Sequence, residues 1–217
     1  MRAALIVLLA AAPASAESVR DTLAHQPDLV DARTVVPDLQ VELRYATRDN
    51  FLHEAVYGDL DVCYLHKDAA ALLARAAAAL ARVRSDLHLH VYDCARPAWV
   101  QRKMWAIVEG TPQKAYVADP RKGSLHGTGC AVDITLADGA GAPLDMGSPH
   151  DDFTRRAEPR AELELLDKGE LTGDEEANRL LLREVMLRGG FRVLANEWWH
   201  FDCATRADAA RKYRMIP

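Results

Sequence analysis

Two stretches of this sequence carry side chains whose types and spacing suit metal-assisted hydrolysis. Gly123 to Leu136, GSLHGTGCAVDITL, offers His126 and Asp133, and Glu197 to Asp202, EWWHFD, offers Glu197 and His200. Zinc in a hydrolase typically takes three protein ligands from His and Asp/Glu and keeps a fourth position for water. His126, Asp133 and His200 satisfy that inventory with one Zn2+ per chain. Water on such an ion has a pKa near neutrality, so a carboxylate beside it can take its proton and pass it to a leaving amine. Glu197 is the candidate base, and Arg96 can stabilise the oxyanion that forms on an attacked carbonyl.

These groups need elements to position them. Cys130 to Leu136 reads as a strand with Val132, Ile134 and Leu136 on its core face and Asp133 and Thr135 on the other. A carboxylate in the middle of an apolar strand is costly unless it is ion-paired or bound to a cation. Phe191 to Leu194 and Trp198 to Cys203 read as a final hairpin or adjacent strands. Three residues along a regular strand would place Glu197 and His200 on opposite faces, so Glu197 must precede the strand or sit at a bulge. Leu87 to Tyr92 alternates as a half-buried strand, and its His88 and His90 read as surface histidines because no third ligand lies nearby. The sequence DCARP follows, with Pro97 suited to the first turn of a helix that runs to about Glu109 and stops at Gly110. Arg96 therefore sits at a strand-to-helix junction, a common location for functional side chains.

Around this frame, Glu17 to Gln40 reads as an irregular entry, Val41 to Tyr45 as a short strand, and Ala46 to Tyr64 as a long loop packed over another element. Asp68 can cap an alanine-rich helix from Ala69 to about Arg84, with Leu72, Leu73, Leu80 and Val83 on its buried face. Asp138 to Phe153 is turn-rich and suits a loop over one rim of a site. Arg155 to Gly173 is charged, with an exposed helical stretch. Thr172 and Glu175 form a capping-box pattern that opens a helix to about Arg188, with Ala177, Leu181 and Val185 on one face and Gly189-Gly190 at its end.

At 217 residues and 49% hydrophobic, the chain can fill one sizeable core, and one compact domain is expected. The formal net charge is −5 and no long Lys/Arg run exists, so no nucleic acid partner is expected. Residues 1–16, MRAALIVLLAAAPASA, follow the pattern of a cleaved secretory signal: a basic residue, a short apolar run and an A-x-A end. The apolar run is too short to span a bilayer. The expectation is an exported, periplasmic or secreted protein of residues 17–217 without a membrane anchor.

Export makes Cys63, Cys94, Cys130 and Cys203 readable as disulfides. Four cysteines allow three connectivities. Strand alternation puts Cys130 opposite Asp133 and Cys203 opposite His200, so both thiols fall behind the metal face. That favours Cys130 with Cys203 and leaves Cys63 with Cys94.

The pattern S-x-H-x2-G-x-A-x-D at Ser124, His126, Gly129, Ala131 and Asp133, followed by E-x-W-H at Glu197, Trp199 and His200, resembles the D-alanyl-D-alanine dipeptidases of the VanX type. These zinc peptidases are related to D,D-carboxypeptidases and to the hedgehog signalling domain. Tyr45-Ala46-Thr47 with Asn50-Phe51, Arg96-Pro97, and Met146-Gly147 ahead of Asp151 and Phe153 extend the resemblance over most of the mature chain. It implies zinc on His126, Asp133 and His200, base catalysis by Glu197, and transition-state stabilisation by Arg96. It also implies that Ser124 and Asp151 bind the free amino end of a small D,D-dipeptide. Ala95 stands where the family often has Tyr, and Asp151 and Asp152 both remain open for the amine-binding carboxylate. The implied fold is α+β, a small central antiparallel sheet carrying the zinc and flanked by helices. Three functions suit this pattern: hydrolysis of D-Ala-D-Ala, carboxypeptidase or endopeptidase action on longer peptidoglycan stems, and a non-catalytic zinc-stabilised binding domain.

Overall fold

The computed structural model describes residues 17–217; the expected signal segment, residues 1–16, lies outside the described residues. Among them, no helix is long and apolar enough to cross a membrane. The entry is more ordered than its polar composition suggests. Ser18 accepts from the Asp21 amide and caps the helix α1, Val19–Ala24, which buries Val19 and Leu23. The strand β1, Leu29–Asp31, then pairs antiparallel with β3, Tyr64–His66.

A second, five-stranded sheet carries the chemistry. Its strands are β2 (Gln40–Val41), β4 (Leu87–Asp93), β5 (Ala131–Asp138), β6 (Arg192–Leu194) and β7 (Glu197–Asp202), in the order β2-β4-β5-β7-β6. The expectation of a small antiparallel sheet needs correction, because β2 runs parallel to β4 and the sheet is mixed. The expected strand Val41–Tyr45 is likewise shortened to Gln40–Val41, and Arg44–Ala46 winds into a 3-10 turn.

The helices follow their capping and propensity signals, with shifted faces. The helix α2, Lys67–Val83, begins two residues earlier than expected: His66 is its N-cap, its ring accepting from the Asp68 amide. It buries Ala69, Ala70, Leu73, Ala76 and Leu80, while Val83 is exposed. The helix α3 is Ala98–Val108 with Pro97 before it, and α4, Glu162–Asp167, supplies the short helix of the charged segment. The capping box of Thr172 and Glu175 opens α5, Gly173–Gly189. Its buried residues are Arg179, Leu182, Val185, Met186 and Gly189, rather than a face through Ala177 and Leu181. The rotation is set by Arg179, whose guanidinium donates to the carbonyls of Met146 and Arg156 and so turns a charged residue inward. A Cβ at Gly189 would come within 2.7 Å of the Leu72 carbonyl oxygen, so α5 lies directly on the alanine side of α2. A last helix, α6, Arg206–Lys212, closes the chain.

Packing then divides the sheet. The helix α2 packs on β4, and α5 on β5 and β7. Val132, Ile134 and Leu136 of β5 are fully buried, which leaves Asp133 to the opposite face. His90 also departs from expectation: it is buried, with Nδ1 3.1 Å from Gln40 Oε1 and Nε2 3.1 Å from Glu42 Oε2, since the parallel strand β2 covers it. His88 is half-buried against Asp38. Cys63 pairs with Cys94 and Cys130 with Cys203, the connectivity favoured by strand alternation. Two such pairs are compatible with an exported protein.

Candidate active site

Three elements bring His126, Asp133 and His200 together. His126 opens a 3-10 turn, His126–Thr128, that Gly129 ends at φ 69°. A Cβ at Gly129 would lie 2.7 Å from the His66 amide nitrogen, so glycine is required both by the backbone and by the close approach of β3. Asp133 and His200 stand directly opposite one another in the β5–β7 ladder, and directly opposed residues share a face. His200 Nδ1 is 2.9 Å from Asp133 Oδ1, and His126 Nε2 is 3.3 Å from His200 Nδ1 and 3.4 Å from Asp133 Oδ1. One ligand atom from each of the three lies within 4.8 Å of the others, and all three residues are buried.

The outward ring atoms decide what this cluster suits. His126 Nδ1 lies 2.7 Å from the Cys94 carbonyl and donates to it; His200 Nε2 lies 2.9 Å from Asp202 Oδ1. The Cys94 carbonyl can only accept, so His126 carries a proton on Nδ1 and points Nε2 at His200 and Asp133, while the His200 ring lies between two carboxylates, Nδ1 toward Asp133 and Nε2 toward Asp202. Two imidazoles and a carboxylate converging in this way fit a divalent metal, which would take Nε2 of His126 and Nδ1 of His200, with the outer partners orienting the rings. Burial opposes ionisation of Asp133, yet the histidines around it, His126 first, hold its carboxyl well below the usual range. Burial likewise opposes a charge on His200, but its bonds to Asp133 and Asp202 raise its pKa well above the ordinary histidine value.

Glu197 stands beside the cluster because β7 is irregular. Val193 pairs with Phe201 and Leu194 with Glu197, so residues 198–200 have no partner on β6. This bulge turns Glu197 to the face of His200, with Oε2 3.8 Å from Nδ1. Burial, with repulsion from Asp133 and Asp151 and a counteracting pull from His200, lifts Glu197 to about 7.

Arg96 is buried and held on every side. Its Nε donates to the Tyr57 hydroxyl at 3.1 Å, Nη1 to Gln101 Oε1 at 2.7 Å, and Nη2 to the Asp93 carboxylate in a short contact. Asp93 is fully buried and also accepts from Tyr57 at 2.6 Å, so the loop at 46–64 packs over the site through Tyr57. Burial opposes the Arg96 charge, but Asp93 keeps its pKa well above the normal value. The Arg96 amide donates to the His126 carbonyl at 2.9 Å, which ties this group to the cluster.

The loop after β5 supplies the far wall, as expected. Asp151 lines the cavity, and both its oxygens accept from the Tyr45 hydroxyl at 3.1 Å. Burial raises its pKa, with His150 opposing. Asp152 is turned away and accepts from the Thr154 amide, so of the two carboxylates Asp151 is the one at the cavity. Ser124 lines the same cavity, which measures about 130 Å³. Phe51, Tyr116 and Phe153 gather on its lining: the Tyr116 and Phe153 rings stack at 4.4 Å, and Phe51 meets Phe153 edge-on at 4.7 Å.

Sequence reasoning passed over Asp93, Tyr57, Gln101, His150 and Asp202. Asp93 had a signal, a carboxylate closing an apolar strand three residues before Arg96. So had Asp202, which shares a strand face with His200 at i and i+2. Tyr57 and Gln101 had none, because their reach is set by tertiary packing. His150 is buried among the rings of Tyr45, Tyr92 and Trp199, with Nε2 3.4 Å from Asp133 Oδ2 and Nδ1 3.3 Å from Asp151 Oδ2.

A buried His–Asp–His cluster opening on a small cavity, with an elevated glutamate and an anchored arginine beside it, is the layout of a metal-assisted hydrolase. The comparisons narrow the class. A family model described as D-ala-D-ala dipeptidase matches residues 25–216, and the chain belongs to that peptidase family. It is 38% identical over 175 residues to a D-alanyl-D-alanine dipeptidase of Escherichia coli K12, covering 81% of this chain and 84% of the relative. A protein of the same description from Synechocystis is 36% identical over 104 residues, 46% of this chain and 39% of the relative. One from Enterococcus faecium is 34% identical over 89 residues, 41% of this chain and 39% of the relative.

Proposed function

We propose that this protein is an exported zinc dipeptidase that hydrolyses D-Ala-D-Ala to two molecules of D-Ala. In this reading residues 1–16 are removed on export to the periplasm, and residues 17–217 are a single peptidase domain. The observation that carries it is the convergence of His126, Asp133 and His200 on one small cavity that also holds Glu197 and Asp151. The family match supports the substrate.

His126, Asp133 and His200 would hold the zinc, which when bound supplies Lewis acidity toward the peptide carbonyl and the attacking water. Asp151, inside a buried wall, receives the substrate's ammonium, and Ser124 adds a hydroxyl toward that end. Glu197 takes a proton from the attacking water as its oxygen adds to the scissile carbonyl carbon. The C–N bond then breaks, and Glu197 returns that proton to the departing amine, leaving one D-Ala as acid and the other as amine. An elevated carboxylate suits both halves of this exchange. Arg96 makes three hydrogen bonds to protein side chains out of five available N–H groups, and the remainder can face the oxyanion.

The discriminating experiment gives zinc-loaded protein D-Ala-D-Ala in one vessel and a pentapeptide stem ending in D-Ala-D-Ala in another. Release of D-Ala from the dipeptide is the expected result. An intact dipeptide beside a trimmed stem would assign a carboxypeptidase instead.

A further inference from the structure

Among the described lining residues, the cavity at the His–Asp–His cluster presents two arginines, Arg96 and Arg206, against four carboxylates, Asp133, Asp151, Glu197 and Asp202. Arg96 is already paired with Asp93 and bonded to Tyr57 and Gln101. Arg206 differs. It is the first residue of α6, and its Nη1 donates to the Gly123 carbonyl at 2.7 Å, with the Lys122 carbonyl at 3.4 Å. Neither carbonyl neutralises its charge, and among the described residues it has no carboxylate partner and no acceptor for Nε or Nη2. The two carbonyls hold the guanidinium against the segment that leads into Ser124 and His126.

The order of groups along β7 gives the cavity a polarity. Glu197 begins the strand, His200 lies within it, Asp202 ends it, and Arg206 comes four residues later. Asp151 lines the cavity from the loop after β5, with the His150 ring between its Oδ2, 3.3 Å from Nδ1, and Asp133 Oδ2, 3.4 Å from Nε2. Glu197 therefore stands at one end of β7, His200 of the His–Asp–His cluster within it, and Arg206, whose guanidinium has no carboxylate partner among the described residues, beyond the other end, past Asp202.

A free dipeptide is charged at both ends. Its carboxylate must leave water for a cavity lined by four other carboxylates, which is unfavourable without a cation whose donors are free. We propose that Arg206 binds the α-carboxylate of the substrate's C-terminal residue and so selects peptides with a free carboxyl end one residue beyond the scissile bond. This rests on the dipeptidase reading above.

The test compares D-Ala-D-Ala with D-Ala-D-alaninamide, identical but for the charge that Arg206 would meet. Wild type is expected to prefer the acid by roughly 10- to 100-fold in kcat/KM, the scale of one charge-assisted contact. In Arg206→Gln that preference should fall toward one, mainly through KM, and Arg206→Lys should restore part of it. An acid-to-amide ratio equal in wild type and Arg206→Gln would overturn the assignment. If wild type cleaves neither compound, the dipeptidase reading fails, and product binding still decides the role of Arg206. D-alanine should then bind more tightly than D-alaninamide by NMR titration in wild type and lose that advantage in Arg206→Gln; equal discrimination by both proteins would refute it.

Discussion

Asp202 lies 2.9 Å from Nε2 of His200, two residues back along β7, and so holds the ring with Nδ1 toward Asp133. Removing such an outer partner typically costs 10- to 100-fold in metal affinity. Asp202→Ala should therefore bind zinc roughly 10- to 100-fold more weakly in competition with a chelator, while Asp202→Asn, whose side-chain oxygen still accepts, should keep most of the affinity. Unchanged affinity in Asp202→Ala would remove Asp202 from the site's support.

Glu197 is 3.8 Å from His200 but is not needed to complete the cluster. Glu197→Ala should retain stoichiometric zinc by elemental analysis and lose about 10²- to 10⁴-fold in kcat, the usual worth of a positioned acid–base group. Turnover near the wild-type rate would end its role as base.

The elevated pKa of Glu197 also has a stability signature in metal-free protein. Below about pH 4.5 the carboxyl is protonated both folded and unfolded and costs nothing. As pH rises toward about 7 it ionises only in the unfolded chain, so its contribution favours unfolding until the folded pKa is passed. Glu197→Gln, which cannot ionise, should gain stability over wild type across this window by up to about 3 kcal/mol. Urea melts of both proteins at pH 4.5 and 7.5 measure it; a gap that does not widen would contradict the buried environment assigned to Glu197.

Part of this site could be read from residue types because two of its carboxylates violate a local rule. Asp133 interrupts an apolar strand, and Glu197 lies on the wrong face of a regular one, which anticipated the bulge opposite Leu194. What remained hidden depended on long-range packing. The pairing of Gln40 and Val41 with β4 is parallel and leaves no mark on two residues, yet it decides that His90 is buried. The inward turn of Arg179 rotated α5 away from its apparent apolar face, because the acceptors for that guanidinium lie on the distant loop carrying Met146 and Arg156.

The two disulfides make the last comparison. They span 31 and 73 residues, and chain entropy assigns them about 3.7 and 4.4 kcal/mol, too close to separate by thermal melting. Their positions separate them instead. Cys130 and Cys203 flank the β5–β7 ladder that aligns Asp133 with His200, and the Cys203 amide donates to the Cys130 carbonyl at 2.7 Å. Cys63 anchors the end of the loop carrying Tyr57 to Cys94, the neighbour of Asp93. Replacing Cys130 and Cys203 by Ser should chiefly weaken zinc binding. Replacing Cys63 and Cys94 should leave more of the zinc affinity and lower kcat, because the contacts that steady Arg96 lose their tether. Both variants should unfold at lower denaturant than wild type by similar amounts. The reverse pattern, with zinc affinity lost only on removing Cys63 and Cys94, would show that the Cys94 carbonyl on His126 matters more to the metal than the strand ladder does.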